Sequence, residues 1–178
     1  LKPERLIELS RQFIIYDAGQ KKIARYQQYY AIKNAVNRVK NFNEPDKRKG
    51  GVIWHTQGSG KSLTMVMLSK ALAIDSEIEN PRVVIVTDRI YLDDQIFNTF
   101  KHCGLEPYQA TSGMDLLDKL QTSKKQIITT VLKKFESGMN AQSIKILDSN
   151  IFVLVDESHR SQYGVANAKM NKLMPNAC

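Results

Sequence analysis

Gly51-Val52-Ile53-Trp54-His55-Thr56-Gln57-Gly58-Ser59-Gly60-Lys61-Ser62-Leu63 is the stretch on which the reading of this chain turns. A short apolar run leads into a turn with two glycines, then Lys-Ser, then an apolar segment of helical character. Glycines let backbone N–H groups close around phosphate oxygens with no Cβ in the way. A helix that starts directly after such a turn points the positive end of its dipole at the same place. Thr56, Gln57, Gly58, Ser59 and Gly60 would form the cradle, Lys61 would reach the β- and γ-phosphates, and Ser62 would offer its hydroxyl to Mg2+. A G-x-G-K-[S/T] string arises by chance in roughly 1% of chains of this length or fewer. His55 departs from the G-x-x-x-x-G-K-[S/T] form, standing where the first glycine belongs.

A second element lies far downstream. The run Ile151-Phe152-Val153-Leu154-Val155 leads straight into Asp156-Glu157-Ser158-His159. Two adjacent carboxylates at the end of a buried strand are costly unless a positive group compensates them. Magnesium on a triphosphate is such a group. Asp156 would hold the hydrated metal, and Glu157 would orient and deprotonate an attacking water. His159 is a third polar group in the same place, with either a coupling or a structural role. Arg160 and Gln162 read equally as phosphate contacts or as solvated side chains.

Outward from these two elements, apolar runs alternate with helical segments. Strands are expected at Val52–Trp54, Val83–Val86, Gln126–Thr129 and Ile151–Val155, and a weaker one at Pro107–Ala110. Helices are expected at Ser62–Glu77, Tyr91–His102 and Met114–Leu120. Apolar β-branched runs without alternation suit strands buried on both faces of a parallel sheet, and strand–helix alternation suits right-handed βαβ crossovers. Ligands of such sheets sit at the carboxyl ends of the strands. Before Gly51, Leu6, Leu9, Phe13 and Ile14 recur at helical spacing, and Tyr16 to Lys22 breaks the pattern. Tyr26, Tyr29, Tyr30, Lys33, Val36 and Val39 suggest a second helix, and Asn41 to Gly51 reads as a loop. The expected organisation is a helical entry segment over 1–41 and an α/β lobe over 42–178.

Composition sets the outer bounds. With 42% hydrophobic and 25% charged residues, the chain is not a wholly disordered one. No apolar run approaches the roughly 18 residues that a membrane span needs. Cys103 and Cys178 are too few for a disulfide framework and fit a reducing, cytoplasmic setting. The 26 Lys+Arg against 18 Asp+Glu leave a net charge of +8, which favours an anionic partner such as nucleotide or nucleic acid. The chain opens on Leu1 with no signal peptide, and reads as a piece of something longer.

Together, the D-E-x-H box and the G-S-G-K-S loop resemble those of superfamily 2 helicase-like ATPases, whose loops also tolerate a residue other than glycine at the first position. Further strings narrow the likeness. Val83 to Gln95, containing Thr87-Asp88-Arg89, looks like the motif Ia region of type I restriction enzyme motor (R) subunits. Asp156 to Gly164 is similar to their extended motif II, and Lys22 to Tyr29 to the segment that enters their first motor lobe. Ile127 to Phe135 resembles a later DNA-tracking motif, less closely. Leu173 to Ala177 looks like the run-up to motif III, which the chain lacks.

The resemblance implies a RecA-like P-loop lobe, preceded by a helical appendage and truncated before motif III. It also implies ATP and Mg2+ as cofactors, and ATP-driven translocation of double-stranded DNA. Cleavage would be supplied by a nuclease domain outside the chain. A second RecA-like lobe with its arginine finger and the methyltransferase and specificity subunits are the implied partners, with no membrane involved. Gln28 resembles the glutamine that reads adenine. Thr87 and Arg89 are implied DNA-backbone contacts, with Arg89 alternatively pairing Asp88 or Asp93. Thr130 and Lys133 are weaker DNA candidates, and the tyrosines at 26, 29 and 30 read as helix packing. The alternatives weighed are a small-molecule or nucleotide kinase on the same phosphate loop, another superfamily 2 helicase, and a nucleotide switch without catalysis. Because losing an arginine finger costs about 10³–10⁵ in rate, the chain alone is expected to hydrolyse ATP hardly at all.

Overall fold

The structure, a computed structural model, describes residues 2–56, 58–122, 126–139, 145–156 and 163–178. Its centre is a four-stranded sheet in the order β6-β7-β5-β8, formed by β5 (Arg82–Thr87), β6 (Tyr108–Gln109), β7 (Ile127–Val131) and β8 (Ile151–Val155). Every pairing in it is parallel, with Val83 opposite Ile127 on one side and opposite Phe152 on the other. This is the parallel sheet that the apolar runs predict. β5 is buried through its whole apolar length because helices cover both faces.

The alternation along β5 sorts the core. Val83 and Ile85 point into one cluster with Val66, Met67, Leu72, Ile96 and Phe100. Val84 and Val86 point into the other, with Leu116, Leu120, Phe135, Met170 and Leu173. The first face is covered by α3 (Lys61–Ile74) and α4 (Ile90–His102), the second by α5 (Gly113–Thr122), α6 (Leu132–Met139) and α7 (Tyr163–Leu173). Each fully buried aliphatic side chain of this kind contributes about 1.5–3 kcal/mol.

The N-terminal residues differ in part from the expected pair of helices. α1 (Pro3–Gln12) and α2 (Tyr26–Val39) form as the periodicity predicts. Between them runs a hairpin of β1 (Ile14–Asp17) and β2 (Gln20–Ile23). Its two turn residues, Ala18 and Gly19, have φ of 48° and 81°, the positive pair that a tight antiparallel turn requires. Phe13, Ile15, Tyr29 and Ile32 then join the first core cluster. A small hairpin, β3 (Phe42–Glu44) with β4 (Lys47–Arg48), occupies part of the expected loop.

One expected strand is absent. Val52–Trp54 forms no strand, and Val52 and Trp54 are 80% and 88% exposed. The run has the apolar character of a sheet-centre strand, but no described strand lies alongside it to pair. On the outer edge of β8 the described pairing comes from Cys178, which donates to Ile151 O at 2.9 Å and accepts from Val153 N–H at 2.7 Å. A cavity of about 860 Å³ lies between that edge and the 50–56 segment.

Candidate functional site

The glycine turn sits at the mouth of this cavity. Gly58 and Gly60 hold φ of 76° and 84°, left-handed values that cost an ordinary residue about 1–2 kcal/mol each. Gly60 caps α3, so the helix begins at Lys61 and Ser62 follows in its first turn. The first N–H groups of a helix have no acceptor within it, and this first turn contains no acidic side chain. The positive end of the dipole therefore faces the loop without a neighbouring carboxylate of its own turn. Two buried polar atoms here, His55 Nε2 and Ser59 Oγ, have no hydrogen-bond partner in the structure. Exposed Thr56 and Gly58 line the cavity with them. Helix N–H groups without intrahelical acceptors, two glycines without Cβ atoms and a first turn without an acidic side chain fit the phosphates of a nucleotide. Gln57 lies outside the described residues.

Gln28, which resembles the adenine-reading glutamine, lines this cavity beside the glycine turn. It is 5% exposed. Its Oε1 accepts the Arg25 N–H at 2.9 Å, closing the first turn of α2. Its Nε2 donates to Gly60 O at 3.2 Å and to Thr64 Oγ1 at 3.0 Å. The carboxamide thus clasps the glycine turn to α2, and both of its ends are engaged. A Cβ on Gly60 would stand 3.0 Å from Gln28 Nε2, so the clasp depends on that glycine.

Asp156 ends β8 at the carboxyl edge of the sheet, where its N–H donates to Val86 O at 3.0 Å. Its side chain is half-buried and has a partner of its own. Glu157, His159, Arg160 and Gln162 lie outside the described residues. Of the residues expected to hold Mg2+, Ser62 and Asp156 both lie among the described residues.

The loop after β5 and the start of α6 after β7 leave the same edge, since Thr87 is paired with Val131. The hydroxyls of Thr87 and Thr130 are fully buried and bond to backbone carbonyls close by in the chain. Thr87 Oγ1 donates to Arg89 O at 3.2 Å and Thr130 Oγ1 to Val131 O at 3.5 Å. Arg89 and Lys133 are exposed. The Arg89 Nε lies 3.5 Å from Asp88 Oδ2, and its guanidinium lies 5.9 Å from the Tyr91 ring centroid. Of the three tyrosines expected to pack, Tyr29 does so against Phe13 at 4.7 Å and half-exposed Tyr30 packs edge-on against Tyr29 at 5.2 Å, while Tyr26 is exposed.

Sequence reasoning missed Asp93 as a site residue. It is 1% exposed, and its Oδ2 accepts from Gln109 Nε2 at 3.1 Å. Burial pushes its carboxyl above the ordinary range, with Gln109, the Thr129 hydroxyl and Lys134 pulling it partly back. The signal was present, because Asp93 falls on the i, i+3, i+7 stripe with Ile96 and Phe100 that α4 buries.

Comparison with known proteins places these features. The SWI2/SNF2 ATPase family matches residues 27–178. The type I restriction enzyme HindI endonuclease subunit of Haemophilus influenzae is 37% identical over 92% of this chain and 17% of its own length. A Mycoplasma pneumoniae protein, assigned by its name to the C-terminal part of the type I restriction enzyme MpnIIP endonuclease subunit, is 32% identical over 80% of this chain and 74% of its own. Among solved structures, a nuclease-deletion mutant of the Type ISP restriction-modification enzyme LlaGI in complex with a DNA substrate mimic shares the fold. Its TM-score is 0.61 at 18% identity, covering 88% of this chain and 17% of that one. The chain thus spans about one sixth of the length of the HindI relative. With its parallel sheet, glycine loop and acidic strand end, the chain belongs to the SWI2/SNF2 ATPase family, as a RecA-like lobe of the type I restriction endonuclease subunit kind.

Proposed function

We propose that this chain is the first motor lobe of an ATP-hydrolysing double-stranded DNA translocase. The observation that carries the reading is the glycine turn at the N-terminus of α3, whose first turn holds no acidic side chain, with two orphaned buried polar atoms beside it. Bound Mg2+ would supply positive charge that offsets the charge of the phosphates. The backbone of Thr56 to Gly60 and the Lys61 ammonium grip the phosphates, and Ser62 and Asp156 hold the metal. Glu157 orients the attacking water and takes its proton, and His159 links this site to the neighbouring lobe. The segments carrying Arg89 and Lys133 meet the DNA backbone. Cleavage belongs to a nuclease domain outside this chain, and site choice to separate methyltransferase and specificity subunits. The restriction-enzyme relatives support the motor reading as a whole.

The test is nucleotide binding measured with a fluorescent ATP analogue and Mg2+. Lys61→Ala is expected to weaken binding at least tenfold while leaving the far-ultraviolet circular dichroism unchanged. Equal affinity for the two proteins would remove the phosphate-loop assignment. Hydrolysis by the chain alone is expected to stay close to background with or without DNA. Robust DNA-stimulated turnover would show that no second lobe is needed.

A further inference from the structure

We propose that Asp93 is a positioning residue whose buried carboxylate, held by Gln109, ties the loop after β5 to the first turn of α6 after β7, so that Arg89 and Lys133 present one fixed edge to a DNA backbone. The inference rests on the DNA reading above and goes beyond it in naming what sets the geometry of that edge.

The contacts form a continuous circuit between these two segments. The Asp93 N–H donates to Arg89 O at 3.1 Å, fixing the first turn of α4 to its cap. Asp93 Oδ2 accepts Gln109 Nε2 at 3.1 Å, and the same nitrogen donates to Asp94 Oδ1 at 2.7 Å. Gln109 ends β6 in register with Thr129 of β7. The next residue, Ala110, is fully buried and donates its N–H to Thr129 O at 3.0 Å. The Ala110 carbonyl in turn accepts from Lys134 Nζ in the first turn of α6, one residue after Lys133. Arg89 and Lys133 are thereby linked through side chains as well as through the β5–β7 ladder.

The chemistry of Asp93 sets it apart from ordinary core packing. On that stripe of α4 an aliphatic residue would avoid the cost of desolvating a carboxylate. Asp93 Oδ1 makes no well-formed hydrogen bond, and neither does the buried Thr129 hydroxyl. A group that stability alone would replace is here the acceptor that Gln109 needs in order to bridge α4 and β6.

The experiment compares binding of the 178-residue chain to a fluorescein-labelled 20-base-pair duplex, alongside amide hydrogen exchange of the chain without DNA. Asp93→Leu raises the net charge by one, which by itself would tighten DNA binding. Positioning predicts the opposite, a loss of about fivefold. Gln109→Leu is expected to lose as much, the double variant no more than either, and Asp93→Asn, which keeps an acceptor for Gln109, to stay within twofold of the parent. Without DNA, Asp93→Leu is expected to speed exchange both in the loop at 88–89 and at the β7–α6 junction, 131–133, and not in α3. Binding by Asp93→Leu equal to or tighter than the parent would overturn the proposal. So would additive losses for the two leucine variants, or faster exchange confined to α4. A parent chain that binds no duplex would overturn the DNA reading, and the exchange pattern would then decide separately whether the two segments are tied.

Discussion

Gln28 and Asp93 are both nearly sealed from solvent, and each is explained by what its polar end must find inside the protein. Gln28 finds its partners at both ends. Asp93 finds a donor at one oxygen only. Its folded-state pKa therefore lies above the ordinary carboxylate value, burial being the leading cause. Between the unfolded and the folded pKa the native state holds the proton more tightly than the unfolded chain does. The stability this group allows is complete below the unfolded-state pKa and is lost as pH rises through the folded one. Urea unfolding at a series of pH values should then show Asp93→Leu gaining on the parent across that interval, with a constant difference above it. A difference independent of pH would mean that the carboxyl titrates normally in the fold. Sequence could place Asp93 on the buried stripe. It could not show that Gln109, sixteen positions on in another element, would meet it.

At the scale of elements, legibility followed the supply of neighbours. β5, β7 and β8 were readable because an unbroken β-branched run has few other homes. Val52–Trp54 has the same character and makes no strand, since strand formation is a property of a pair and no described strand lies beside it. The β1–β2 hairpin was hidden for the reverse reason. Phe13 and Ile14 continue the helical spacing of α1, and the turn lacks the Asn-Gly signature that marks a tight hairpin. Its first turn residue is an exposed Ala18 at a φ of 48°, where alanine is strained and asparagine is tolerated. Ala18→Asn should stabilise the chain by about 0.5–1 kcal/mol, read as a higher urea midpoint at unchanged slope. The Ala18 N–H bond to His102 O survives that change, because it is made by the backbone. A lower midpoint would show that the turn does not hold this conformation in solution.

At the scale of the molecule, the net charge of +8 is a sum over the whole chain, and cations stand near both ends of α4. Arg89 caps the N-terminal end, beside the first turn of α6, which carries Lys133. The β1–β2 turn is bonded to His102 at the C-terminal end, and Lys21 rides on that hairpin. The helix between them has 13 residues, so it is about 20 Å long, against a screening length of about 8 Å at physiological salt. A phosphate backbone lying along the carboxyl edge of the sheet would therefore be felt by Arg89 and Lys133 and hardly at all by Lys21. Each phosphate neutralised contributes about −0.9 to the slope of log affinity against log salt. Arg89→Ala and Lys133→Ala should each make that slope shallower by about 1, and Lys21→Ala should leave it unchanged, measured by anisotropy on one duplex over a salt series. Equal effects from all three lysine and arginine changes would mean that the duplex is held by diffuse charge, with no preferred edge. A change at Lys21 alone would move the DNA to the hairpin end and away from the nucleotide turn, leaving the segments after β5 and β7 without the role that their shared edge suggests.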